Sequence, residues 1–116
     1  MEHNIVETKS FHFAIRIVDL YKYLCSEQKE YVMSKQLLRS GTSIGANVAE
    51  SQQAQSRPDF ISKLSIALKE TSETKYWLRL LNATGYLQSP DFDSVVADCV
   101  ELEKLLVSIV RTTKQK

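Results

Sequence analysis

Only three glycines and two prolines interrupt the 116 residues, and that scarcity governs what the chain can fold into. An all-β fold needs a turn roughly every 8–12 residues, and those turns draw on glycine and proline. Between the interruptions, apolar residues recur at spacings of three and four, the signature of a helix face. The pattern predicts four helices near residues 7–27, 30–55, 57–84 and 90–113. The breaks are short, so successive helices run antiparallel. The expected fold class is all-α, an antiparallel up-down-up-down four-helix bundle, with residues 1–116 forming a single domain.

The breaks carry recognisable chemistry. In Ser56-Arg57-Pro58-Asp59, Ser56 can cap a helix, Pro58 suits its first turn, and Asp59 meets the positive end of the dipole. Gly85 can take the left-handed conformation that closes the third helix. Ser89-Pro90-Asp91 repeats the starting grammar, with Ser89 as cap. The first break, around 26–30, has neither glycine nor proline and could continue a helix.

Three helices carry more apolar surface than one bundle interior uses. The third places Phe60, Leu64, Ala67, Leu68, Leu78 and Leu81 on one face, interrupted by Thr71 and Thr74. Ile66, Tyr76, Trp77 and Leu80 lie off it. In the first, Phe11, Ala14, Ile15, Val18, Tyr21 and Cys25 form one face, and Phe13, Ile17, Leu20 and Leu24 widen it. The fourth turns Val95, Cys99, Leu102, Leu106, Ile109 and Val110 inward, with Val96, Val100 and Val107 displaced sideways. Two explanations stand: packing along the flanks of long helices, or a subunit interface. Ile66, Tyr76, Trp77 and Leu80 are the interface candidates, since Trp and Tyr are common interface anchors.

The second helix is different. Gly41, Gly45 and Ala49 recur every four residues and share a face. Glycine inside a helix costs about 1 kcal/mol relative to alanine. Close approach of another helix offsets that cost; alternatively, Gly41-Thr42-Ser43 is a loop dividing two helices.

No constellation points to catalysis. The serine between Gly41 and Gly45 lacks the strand–turn–helix setting of a nucleophile elbow, and no Gly-Lys-Ser/Thr closes a phosphate loop. Glu70 and Glu73 share a side of one helix, and Asn47 precedes Glu50 by nearly a turn. A di-metal bundle would add Glu-x-x-His motifs, which His3 and His12 do not complete. The carboxylates read as a polar layer that registers helices, with Arg39 and Lys75 available to pair with them. Cys25 and Cys99, each in an apolar stretch, read as buried free thiols. No cofactor, metal or small-molecule substrate is expected.

Fifteen basic residues nearly balance fourteen acidic ones, for a net charge of +1. A DNA-coating protein would be more basic, so any nucleic-acid surface must arise by local segregation or by assembly. Arg57, Lys75 and Arg79 point in similar directions and are the candidate contacts. No stretch is long and apolar enough for a membrane span, and the amino end is not a signal peptide. The expected compartment is the cytoplasm, with no membrane partner.

The run Gln36-Leu37-Leu38-Arg39-Ser40-Gly41-Thr42-Ser43-Ile44-Gly45-Ala46-Asn47-Val48-Ala49-Glu50-Ser51, followed by the stretch from Phe60 through Thr74 to Leu78, resembles a bacterial family. Its proteins are encoded in intervening sequences of 23S ribosomal RNA genes, and it has also been labelled a ribosomal protein family. The resemblance implies a four-helix bundle assembled as a ring-like homopentamer, without known enzymatic activity. A related member, the accessory variability determinant of diversity-generating retroelements, is a pentameric barrel that binds nucleic acid and a reverse transcriptase. Arg39, Asn47, Glu50, Glu70 and Glu73 are the signature positions carried over. Ser51 replaces a frequent family glycine, which argues against a sharp helix end there. The resulting expectation is a non-enzymatic scaffold that contacts structured RNA through Lys and Arg. The alternative is a protein–protein adaptor, such as a reverse-transcriptase accessory subunit, that touches no nucleic acid.

Overall fold

Long glycine-poor stretches fold here into four helices: α1 (Glu2–Ser26), α2 (Met33–Ser51), α3 (Arg57–Ala83) and α4 (Ser89–Lys114). The structure, a computed structural model, describes residues 2–116, with side chains from Ile5 onward. The helices form a rod of 47 × 21 × 19 Å. Each packs on its two neighbours around the square: α1 on α2, α2 on α3, α3 on α4, and α4 back on α1.

Cross-helix pairs fix the directions. Lys9 pairs with Glu101 and Arg16 with Asp98, so α4 descends as α1 rises. Arg39 meets Glu70 while Glu50 meets Lys63, which sets α2 against α3. Gly41 lies against Ile17 and Gly45 against Ser10, which sets α1 against α2. The topology is up-down-up-down, as the short breaks require.

The helix ends differ from expectation where the sequence lacks glycine and proline. α1 stops at Ser26, and Lys29 takes a left-handed backbone with φ of 55°. The Glu30 amide then donates to Leu24 O at 3.0 Å. Glu30 is not the first residue of a helix over 30–55 but the cap of a shorter one. Its carboxylate accepts from the amides of Val32, Met33 and Ser34 at 3.1, 3.0 and 2.7 Å. Burial would raise its pKa, but these three donors prevail and hold it below the usual value. α2 ends at Ser51 even without the family glycine, because the Gln52, Gln53 and Ala54 amides turn back onto Ala49, Glu50 and Ser51 carbonyls.

The third helix starts after Ser56 and closes before Gly85, as its sequence predicts. Ser56 Oγ accepts from the Asp59 amide at 3.2 Å. Gly85, with φ of 87°, lets the Tyr86 amide reach Leu81 O at 2.9 Å and closes α3. Ser89 does not cap α4: Gln88 occupies the cap position without a side-chain bond, and Ser89 is already helical.

The core runs the length of the rod through Ile17, Leu24, Leu37, Ile44, Leu64, Leu78, Leu102 and Leu106. The inward residues expected of α4 are all buried. In α3, Leu64, Ala67, Thr71, Thr74, Leu78 and Leu81 are buried, with Phe60 and Leu68 at the margin. The first helix is turned relative to expectation. Val6, Ser10, Phe13, Ile17 and Leu24 face inward, whereas Phe11 is 65% exposed and Ile15 47%. Both arcs were apolar, and only packing against α2 and α4 selects between them.

Candidate functional site

The small residues of α2 place two backbones in contact. A Cβ on Gly41 would sit 2.8 Å from Ile17 Cγ1, and one on Gly45 would sit 3.1 Å from Ser10 O. Both glycines are helical and mark the α1–α2 crossing, so no loop divides this segment. Ala49, one turn on, is exposed beside them.

The polar residues of α2 and α3 do not form one continuous layer. Across the α2–α3 seam, Thr74 Oγ1 donates to Ser40 Oγ at 3.0 Å, fully buried. Outside it, Arg39 donates to Glu70 at 3.2 Å and to Glu73, and Trp77 Nε1 donates to Glu73 at 3.1 Å. The hydrogen bond from Arg39 chiefly, then that from Trp77, holds the Glu73 carboxyl below its usual range. Asn47 turns back to Ser43 O at 2.9 Å, and Glu50 pairs with Lys63 at 3.3 Å near the surface. Lys75 takes Glu103 of α4 at 2.9 Å rather than Glu70 or Glu73. The expected layer therefore shrinks to Arg39, Glu70 and Glu73 at the bundle margin, with Ser40 and Thr74 inside it.

Two apolar strips flank α2. On the α1 side, Phe11 with Thr8 and His12 borders a groove whose other wall is Gly45 and Ala49. Ile15 continues it one turn on. On the α3 side, Ile66, Trp77 and Leu80 follow the flank that carries Glu73, and Tyr76 stands beside them, 54% exposed. Its ring meets Trp77 edge-on, with centroids 5.1 Å apart. The α3 strip was legible as an off-core arc. The periodicity places Phe11 and Ile15 on the core face of α1, and the signal for their exposure is the excess width of the apolar arc.

Arg57, Lys75 and Arg79 do not form one patch. Lys75 is ion-paired, and Arg57 and Arg79 stand at opposite ends of α3, about 33 Å apart at 1.5 Å per residue. Cys99 is buried, and burial above all pushes its thiol up to about 12, which makes it a poor nucleophile. Cys25, expected to be buried, is only half-buried. Among the described residues no three His, Cys, Asp or Glu side chains converge on a metal position, and the side chain of His3 lies outside them. No described helix is long and apolar enough to cross a membrane.

No curated protein matches the chain. A solved structure does: a protein of unknown function from the S23 ribosomal protein family of Bacteroides thetaiotaomicron. It is 59% identical, has a TM-score of 0.95, and the match covers 96% of this chain and 99% of that one. The profile of the 23S rRNA-intervening sequence proteins matches residues 2–108. With the helix-two signature, the four-helix topology and this match together, the chain belongs to the 23S rRNA-intervening sequence protein family.

Proposed function

We propose that this chain is a non-enzymatic, self-associating scaffold whose assembled form contacts structured RNA through Lys and Arg side chains. The observation that carries this reading is the pair of apolar strips beside α2, one led by Phe11 and the other by Tyr76 and Trp77. Phe11 and Tyr76 are large aromatic side chains exposed in two separate places, with Trp77 partly buried beside Tyr76, and such residues suit association. The strips are different surfaces on different helices. A contact between two unlike patches propagates head to tail and closes into a ring when its rotation allows. Five is the ring size we propose, on the family resemblance.

Assembly answers the charge problem. One subunit carries a net charge of only +1, but a ring repeats every local basic surface around one axis. The near balance of charge also favours a second reading, a protein adaptor without nucleic-acid contact. Sedimentation velocity with and without a labelled RNA hairpin separates them. The proposal expects a discrete oligomer at micromolar concentration that carries the hairpin at low salt. An oligomer that leaves the RNA behind supports the adaptor, and a folded monomer removes the scaffold reading altogether.

A further inference from the structure

The two ends of the rod differ in charge. Where α2 closes, α3 begins and α4 terminates, Arg57, Arg111, Lys114 and Lys116 are exposed. None of them makes an ion pair among the described residues. Of the acidic side chains described there, Glu50 holds Lys63, and Asp59 accepts the Gln55 amide at 3.3 Å while keeping its charge; α1 also begins at this end, with Glu2, whose side chain lies outside the described ones. On the register of the Lys9–Glu101 pair, Glu7 of α1 lies about two turns short of Arg111. At the opposite end, Lys22, Lys29, Lys35 and Arg79 make no ion pair among the described residues either, but five carboxylates, Asp19, Glu27, Glu30, Asp91 and Asp93, stand among them. Among the described side chains, one end thus carries four unpaired cations beside Asp59, and the other carries as many cations beside five carboxylates.

Folding accounts for part of this. Arg111 and Lys114 lie in the last turn of α4, where cations offset the negative end of the dipole. Arg57 has no such reason. It is the first residue of α3, where the dipole opposes a positive charge. Arg57 and Lys116 also line one cavity of about 660 Å³ between the α2–α3 turn and the end of α4, with Gln52 and Thr112 in its wall. Two cations, an amide and a hydroxyl around one open cavity are donors suited to phosphate oxygens.

We infer that this end of the bundle is the phosphate-contacting surface and takes the backbone of a folded RNA. The inference rests on the RNA reading above and assigns it a place; the candidates Lys75 and Arg79 are not part of it. In a ring, the basic ends of all subunits lie on the same rim.

Fluorescence anisotropy with a labelled RNA hairpin tests it, as a salt titration from about 50 to 200 mM. Arg57→Ala/Lys116→Ala is compared with Lys35→Ala/Arg79→Ala, which removes the same charge from the other end. Circular dichroism and sedimentation establish that fold and assembly are unchanged in both. The expected result is affinity at least tenfold weaker for the first variant only, and a salt slope shallower by about 2, one for each lost phosphate contact. Equal losses in the two variants, or none in either, overturn the assignment of this end while leaving RNA binding intact. A wild-type protein that fails to bind at the lowest salt overturns the RNA reading itself, and this inference with it.

Discussion

Gly41 shows how one missing carbon sets a helix crossing. An added Cβ would lie 2.8 and 2.9 Å from two carbons of Ile17, a branched side chain with no exposed surface. Alanine improves intrinsic helix propensity by about 1 kcal/mol, but overpacking a dense core costs about 1–3 kcal/mol. The clash prevails, so Gly41→Ala is expected to lower the urea midpoint. Ile17→Ala removes the atoms in the way, so it should cost less in the Gly41→Ala background than in the wild type. Additive effects in that double-mutant cycle would count against direct contact. The sequence showed that Gly41, Gly45 and Ala49 share a face. It did not show that Gly41 is buried against α1 while Ala49 is left exposed at the edge of a groove, because that depends on how the two helices cross.

At the scale of the element, α2 owes its start to a side chain outside it. Val32, at the cap position, offers no side-chain bond, and Glu30 supplies three. Glu30→Gln keeps the size but loses the charge facing the positive helix end, and should cost about 1–2 kcal/mol at neutral pH. The folded-state pKa is lowered, so this stabilisation is complete above the ordinary value of 4.5 and is lost as pH falls through the lower folded value. The stability gap between wild type and Glu30→Gln, followed by denaturation against pH, should narrow on acidification below 4.5. A gap that stays constant rules out the carboxylate as its source. Ser56 and Gly85 were legible because their roles depend on immediate neighbours. Glu30 was not, since nothing local distinguishes a capping glutamate from one that continues a helix.

For the whole molecule, the placement of the two strips allows a test of how copies meet. Phe11→Asp damages one strip and leaves the other, and Tyr76→Asp does the reverse. In a head-to-tail contact each variant alone should be monomeric, while an equimolar mixture should form a one-to-one complex from the two intact strips and grow no further. Sedimentation equilibrium reads this directly. Absence of a complex in the mixture, with both variants folded, would exclude the pairing of these strips.

The number of helices, their order, the close approach at Gly41 and the inward face of α4 followed from the sequence by itself, because each depends on residues within a few turns of one another. Three things were decided only in three dimensions. These are which apolar arc of α1 is buried, which carboxylates Arg39 and Lys75 meet, and which cations gather at one end of the rod. Periodicity gives a helix its faces but not their partners. A side chain's environment is set by the rotation and axial offset of neighbouring helices, and those are determined by packing the whole core at once.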